Sequence, residues 1–239
     1  MRQSQVVPFP VRSERPARIL DAAGTLLRRW GFARVTMDDI AREADVGTGT
    51  LYLHWKTKEA LFETVVLCEL HALWGELAQQ IRSAPSDAVL HRCLPLLFRA
   101  VKQRPLARAL FTRDIALLGK LAHRPLLQQS QHLLGADSFL IHLRQLGLLR
   151  DDVDIALQAH AFGAIWTGFV LIDTLVQPEH QVRLEIQLDA LAETIRRLFE
   201  PDPLPDPAIV RDQVAPQIIS WFEQMCDSLA RQIVARTIG

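Results

Sequence analysis

The chain has no net charge, few cysteines, no long uninterrupted apolar run and none of the common catalytic signatures. Each shortage excludes something. The 27 Lys/Arg are balanced by 27 Asp/Glu, so a strongly basic or acidic chain is excluded. Three cysteines (Cys68, Cys93, Cys226), odd in number, far apart and set among apolar residues, exclude a disulfide framework and fit reduced, buried thiols in a cytoplasmic protein. The opening "MRQSQVVPFPVRSERPAR" lacks the apolar core of a signal peptide. The longest greasy run, Ala161 to Ile172, is 12 residues between His160 and Asp173, too short to span a bilayer, so no membrane association is expected. There is no H-E-x-x-H, G-x-S-x-G or C-x-x-C, and the eight histidines lack paired ligand spacing. The expectation is a protein that is not an enzyme and holds no metal and no cofactor.

What is present is a chain that can bury a core: 239 residues, 49% of them apolar. Apolar residues recur at helical spacing nearly everywhere, and strand-like alternation is hard to find, so the fold is read as all-α. Residues 1 to 60 hold ten Lys/Arg against seven Asp/Glu, leaving 17 against 20 for the rest, so the basic excess sits in front. Ile19, Leu20, Ala23, Leu26, Leu27 and Trp30 form one face of a first helix, which Gly31 can end in a left-handed cap. "TMDD" then places the Thr36 hydroxyl three residues before Asp39, a capping-box pattern opening a second helix with Met37, Ile40, Ala41 and Ala44 on its buried face. "DVG" (Asp45 to Gly47) breaks that helix after barely two turns. Helical spacing resumes from Thr48 to Trp55, with Leu51 and Trp55 four residues apart.

The "GTGT" of Gly47 to Thr50 resembles a glycine-rich phosphate loop, but its surroundings do not. A dinucleotide fingerprint needs a strand before its first glycine and a third glycine where this chain has Tyr52, and no Gly-Lys-Ser/Thr follows for a Walker loop. Two short helices around a tight turn account for every feature. Gly47 is then an N-cap without a side chain, and Gly49 lets the helix approach a groove closely. Lys56, Thr57 and Lys58 open a long helix whose capping hydroxyl, free amides and ammonium groups suit a phosphate.

The stretch "VTMDDIAREADVGTGTLYLHWKTKEALF" resembles the DNA-binding segment of the TetR family of transcriptional regulators. The likeness covers about residues 16 to 65 and rests on "T-x-x-x-I-A-x-x-A", "V-x-x-G-T-L-Y" and "K-x-K-E-x-L" in order. It implies a basic arm at 1–12, a helix-turn-helix DNA-binding head at 13–57, and a helical effector-binding and dimerisation body at 58–239. It also implies a homodimer on double-stranded, near-palindromic operator DNA, released by a small, largely apolar effector. By the resemblance, Thr48 and Thr50 go to the groove, and Thr36, Tyr52, His54 and Lys58 to flanking phosphates. Two departures stand out: Asp45 where the family usually has Gly in the turn, and Gly47 and Thr48 where it usually has Ser and often a basic residue. The recognition helix therefore carries no Arg or Lys, and Arg12, Arg15 and Arg18 of the amino-terminal region are the candidate supplement.

Beyond Lys58, spacing predicts a helix to about Ser83, then helices at about 87–102, 105–119, 124–146, 151–176, 179–199 and 208–236, with "PDPLPDP" as a stiff connection. Phe162, Ile165, Phe169, Ile172 and Val176, and then Leu184, Leu188, Leu191, Ile195 and Leu198, form heptad-like stripes that make 151–199 the candidate dimer seam; the alternative is that they face their own core. His71, Trp74, Phe98, Phe111, Phe162 and Trp166 are the candidate effector-binding residues, with core packing as their rival role. The competing functions are a helical small-molecule-binding protein without DNA function and a helical enzyme.

Overall fold

The computed structural model describes residues 14–124 and 136–237, and every regular element among them is helical, as the periodicity predicts. The arm at 1–12, with Arg12, lies outside the described residues. Two compact units are built from interleaved parts of the chain. Among the described residues, the first unit takes 14–76, 105–124 and 222–237, and the second takes 77–104 and 136–221.

The first unit begins with α1 (Glu14–Arg34), α2 (Met37–Glu43) and α3 (Thr48–His54), and α4 (Lys58–Ser83) follows. Ile19, Leu20, Leu27, Ile40, Leu51, Trp55, Leu61 and Phe62 are all at most 1% exposed and form its core. Gly31 breaks α1 at φ 74°, ψ 162°, an extended rather than left-handed helical conformation, and the helix resumes to Arg34. A side chain there would fail twice: the φ is positive, and a Cβ would sit 2.7 Å from the Ala116 carbonyl. The turn at Gly31 reverses the fate of its neighbours. Trp30, expected in the core, is 39% exposed beneath the Arg29 guanidinium, while Phe32 is 4% exposed and meets Phe62 edge-on at 5.5 Å.

The span 105–119 is not one helix. It divides into α6 (Pro105–Thr112) and α7 (Ile115–Leu118), after α5 (Leu90–Gln103). Arg113 takes φ 51°, and the Asp114 carboxylate caps the amides of Ala116 and Leu117. A side-chain cap in mid-sequence restarts a helix that apolar spacing alone reads as continuous.

The second unit contains α5, α8 (Ala136–Gln145), α9 (Ile155–Leu175) and α10 (Leu184–Phe199). Asp154 caps α9 through the amides of Ala156 and Leu157, which starts that helix later than the spacing predicts. Leu188, Leu191, Ile195 and Phe199 of α10 are buried, and α10 packs on α5. His91 is tied to the buried Glu200: its amide donates to Oε1 at 2.8 Å and its Nδ1 lies 2.6 Å from Oε2. Arg144 closes the α8–α9 connection by donating to the Arg150 and Val153 carbonyls and to Gln158 Oε1.

The stripe expected at the seam is thus largely internal on α10. Exposed apolar residues on the same two helices are Leu157 (60%), Ile172 (43%) and Leu175 (77%) on α9, with Ile186 (48%) and Leu198 (51%) on α10, of which Ile172 and Leu198 belong to the expected stripes. Taken whole, α9 is also long and apolar enough to cross a membrane by length and composition, which the 12-residue run concealed. Gln158 near its start and Asp173 near its end are held in polar networks, Asp173 with Lys102 and Gln187. The final helix, α11 (Ala215–Thr237), follows a short π-helical turn at Val210–Val214.

Burial is the first cause raising all three thiols, with nearby carboxylates adding to it: Cys68 and Cys93 are pushed up to about 12 and Cys226 to about 11. The thiolate is the reactive form, so all three should be inert in the native chain at neutral pH. A chromogenic disulfide reagent should titrate none of them within minutes at pH 7.5 and all three after denaturation; rapid native labelling of Cys93 would contradict this burial.

Candidate nucleic-acid interface

The second and third helices are short enough to need outside support, and local chemistry provides it. Thr36 accepts from the Asp39 amide at 3.2 Å while Asp39 accepts from the Thr36 amide at 3.0 Å, the reciprocal pair that "TMDD" predicts. These contacts, with the Thr36 hydroxyl first among them and Arg42 adding, hold the Asp39 carboxyl below its ordinary range. Asp45 enters the left-handed region at φ 51°, so the turn forms without glycine. Gly47 caps α3 through backbone alone, its carbonyl accepting from the Thr50 amide at 2.8 Å.

The helix α3 turns Leu51 fully inward. At its end Trp55 is 1% exposed, and its indole N–H donates to Thr64 Oγ1 at 3.0 Å, joining α3 to α4. With Leu51 inward, Gly49 and Leu53 lie on the opposite side, flanked by Tyr52 and Thr50. Leu53 is 71% exposed and Tyr52 45%, and a Cβ added to Gly49 would meet nothing within 4 Å. Glycine at 49 is therefore not demanded by packing within the head. It leaves the outward face of α3 low enough for another backbone to come close. Sequence reasoning passed over Leu53, although its place two residues after a core leucine already puts it on the opposite face of a helix.

Three side chains expected at DNA are engaged inside the protein. The Lys58 ammonium donates to the carbonyls of Phe32 and Val35, each at 2.7 Å, and lies 4.2 Å from the Phe32 ring centroid. Burial pushes its pKa below the ordinary lysine value, Lys120 adds to that, and Glu59 opposes it. Thr48 donates its hydroxyl to Asp38 Oδ1 at 2.8 Å, a bridge from α3 to α2. His54 places Nδ1 3.1 Å from the Thr237 carbonyl. Arg18, a candidate for the basic supplement, instead donates to the Ala44 and Asp45 carbonyls at 2.7 and 3.0 Å, where α2 ends and the turn begins. Arg15 is exposed. Thr36, Thr50 and Tyr52 remain at the surface, and Lys56 is exposed beside Tyr52 with its ammonium 3.2 Å from the Tyr52 carbonyl.

The six candidate effector residues are divided between the two units. His71, Trp74 and Phe111 belong to the first unit, and Phe98, Phe162 and Trp166 to the second. Trp74 stacks on Phe222 at 5.6 Å, and burial lowers the His71 pKa while Asp227 opposes it. In the second unit Phe98 meets Trp166 and Phe169 edge-on at 6.1 Å, and Phe162 meets Phe199. A polar cleft there is lined by Arg150, Asp152, Arg196, Glu200 and Asp202, none of which was a sequence candidate.

Residues 19–65 match the family described as bacterial regulatory proteins, tetR family, which is the resemblance read from the sequence motifs. The chain is 31% identical over 121 residues to the HTH-type transcriptional regulator YhgD of Bacillus subtilis, covering 49% of this chain and 62% of that protein. It is 28% identical over 105 residues to the HTH-type transcriptional repressor KstR2 of Rhodococcus jostii, covering 44% and 52%. The chain thus spans between half and two thirds of the length of these relatives. Its fold is similar to that of the transcriptional regulator FadR of Bacillus subtilis in complex with stearoyl-CoA, with TM-score 0.57, 17% identity and coverage of 75% of this chain and 96% of the other. The helix-turn-helix segment is therefore similar to that of tetR-family regulators, and the helical fold is similar to that of the FadR regulator.

The Lys58 geometry predicts a role in stability. Lys58→Met, which keeps the stem and removes the donor, should lower the unfolding free energy by about 1–3 kcal/mol in urea titration, because two buried carbonyls lose their partner. An unaltered midpoint would show that the ammonium is not needed there.

Proposed function

We propose that this chain is a ligand-responsive, DNA-binding transcriptional regulator of the cytoplasm, acting as a repressor rather than an enzyme. It binds a near-palindromic operator as a homodimer and is released by a small, largely apolar effector. The observation that carries the reading is the outward face of α3. Gly49, Tyr52 and Leu53 stand exposed on a helix whose other side is anchored by Leu51 and Trp55, inside the segment that matches tetR-type regulators.

On this reading α3 enters the major groove. Leu53 offers an apolar surface to a thymine methyl, and Thr50 offers a methyl and a hydroxyl. The Thr48 hydroxyl hydrogen is engaged by Asp38, so Thr48 meets a base as an acceptor or through its methyl, and the Asp38 carboxylate can accept from a cytosine amino group. Thr36, Tyr52 and Lys56 serve the flanking phosphates, which position the head without reading sequence. Full-length protein should select a preferred duplex from a randomised pool, and Leu53→Ala should relax selection at one thymine in each half-site. Absence of any selected duplex would leave the small-molecule-binding reading in its place.

The homodimer reading is supported by the exposed apolar residues on α9 and α10. Leu157, Ile172 and Leu175 with Ile186 and Leu198 fit a bundle of two helices from each subunit better than contact with lipid, because Asp173, paired with Lys102 of α5, lies on that same α9 helix. Two-fold symmetry then sets half-sites about 34–36 Å or a multiple apart. Ile172→Glu and Leu175→Glu should each yield a folded monomer in light scattering, whereas Leu188→Glu should unfold the second unit. Dimeric elution of both surface variants would remove this seam.

For the effector, an apolar occupant is supported by the aromatic content of both units and by the fatty acyl-CoA bound by the FadR relative in fold. Compounds that raise the melting temperature should weaken duplex binding, with a coupling of about 1–3 kcal/mol. A set of stabilising compounds that never alters DNA affinity would rule out release by ligand.

A further inference from the structure

The end of the last helix meets the end of the recognition helix. Across 183 residues of sequence, His54, the final residue of α3, holds Nδ1 3.1 Å from the carbonyl of Thr237. A carbonyl can only accept, so Nδ1 carries the hydrogen in this contact. The Thr237 carbonyl belongs to the last turn of α11, where carbonyls have no donor within their own helix. His54 supplies one. Thr237 is 4% exposed, with its hydroxyl donating to the Ile233 carbonyl at 2.7 Å, so the acceptor sits on an ordered turn. Farther back along α11, the Cys226 thiol lies 3.7 Å from the His71 carbonyl and Phe222 stacks on Trp74 with 15° between the rings. The stretch from Phe222 to Thr237 therefore runs beside α4 and finishes on α3, a reach of roughly 22 Å for a helix of that length.

We propose that the carboxy-terminal turn of α11 is a positioning element for the recognition helix, with His54 acting through Thr237 rather than by touching DNA. This rests on the DNA-binding reading above. The seven-residue α3 is held at its first residue by Thr48–Asp38 and in its middle by Leu51. At its far end the His54–Thr237 contact adds a second tie to that of the buried Trp55, and together they set the angle at which Gly49, Tyr52 and Leu53 are presented. Loss of the contact costs discrimination between sequences more than it costs general attraction to phosphate, because base contacts depend on that angle and phosphate contacts tolerate more movement.

The test uses full-length protein, a duplex that it selects from a randomised pool, and a shuffled duplex of equal composition, with affinities from fluorescence anisotropy. His54→Phe and deletion of residues 236–239 should each weaken binding to the selected duplex about fivefold, the worth of one hydrogen bond, while leaving the shuffled duplex within about twofold. His54→Asn, whose side-chain amide can donate to the same carbonyl, should retain discrimination. Wild-type discrimination in His54→Phe overturns the proposal. So does loss in His54→Phe without loss in the deletion, which would make His54 a direct DNA contact, and so does failure of the asparagine to rescue. Hydrogen exchange separates this inference from the function it rests on. The deletion should accelerate exchange of the Trp55 amide, which donates to the Leu51 carbonyl at 2.8 Å. Unchanged exchange there overturns the positioning role whether or not DNA binds, whereas a wild-type chain that selects no duplex overturns the DNA-binding reading alone.

Discussion

A helix of seven residues does not persist by itself in water, because nucleation fixes several residues for each hydrogen bond gained. The helix α3 exists because Leu51 and Trp55 are buried, and the rest of the head is arranged around that burial. Trp55 brings its indole N–H into the core and needs an acceptor there. Thr64 on α4 provides it, while the Thr64 hydroxyl donates onward to the Ala60 carbonyl at 2.8 Å. One aromatic side chain thereby determines where α4 starts relative to α3. Everything that α3 can present to a partner follows from which side of it Leu51 and Trp55 occupy.

The same head uses its cations in an unexpected way. Lys58 and Arg18 direct their charge at backbone carbonyls where helices stop, Lys58 at Phe32 and Val35 and Arg18 at Ala44 and Asp45. Cations at the carboxy ends of helices satisfy acceptors that have no donor and oppose the helix dipole. The Arg18 bonds also steady a turn that departs from glycine at Asp45. Fewer of the cations in the first sixty residues are consequently free to reach an anionic partner directly than their count suggests. The outward face of α3 offers small and apolar groups at Gly49, Thr50 and Leu53 rather than charge.

In the second unit, apolar and polar anchors alternate along the same helices. The α9 helix buries Phe162 against Phe199 and ties Gln158 to Arg144 near one end and Asp173 to Lys102 near the other. Those polar ties fix its rotation, because each one faces a particular neighbour. Leu157, Ile172 and Leu175 are left outside by that rotation. An apolar helix held so firmly by internal pairs presents a defined outer surface.

Legible in the residue pattern were the helical class, the capping box at Thr36 and Asp39, the break at Asp45 to Gly47, the inward Leu51 and Trp55, and the run of α4 from Lys58 to Ser83. These are local matters: spacing, caps and turn residues act within a few positions, and the information lies in adjacent letters. Tertiary structure decided the rest. The break at Gly31, where a Cβ would sit 2.7 Å from the Ala116 carbonyl, leaves Trp30 exposed, and Asp114 divided a helix that spacing reads as one. Leu188 and Ile195 have the same periodic stripe whether their own α5 or a second subunit covers them, since period reports that a face is apolar and not what lies against it. Lys58, Thr48 and His54 look like free polar groups in the sequence, and each finds its partner through the fold: Lys58 across 23 and 26 residues, Thr48 across 10 and His54 across 183. A hydrogen bond between residues distant along the chain leaves no periodic trace, so only the folded chain reveals which polar groups remain available to a partner.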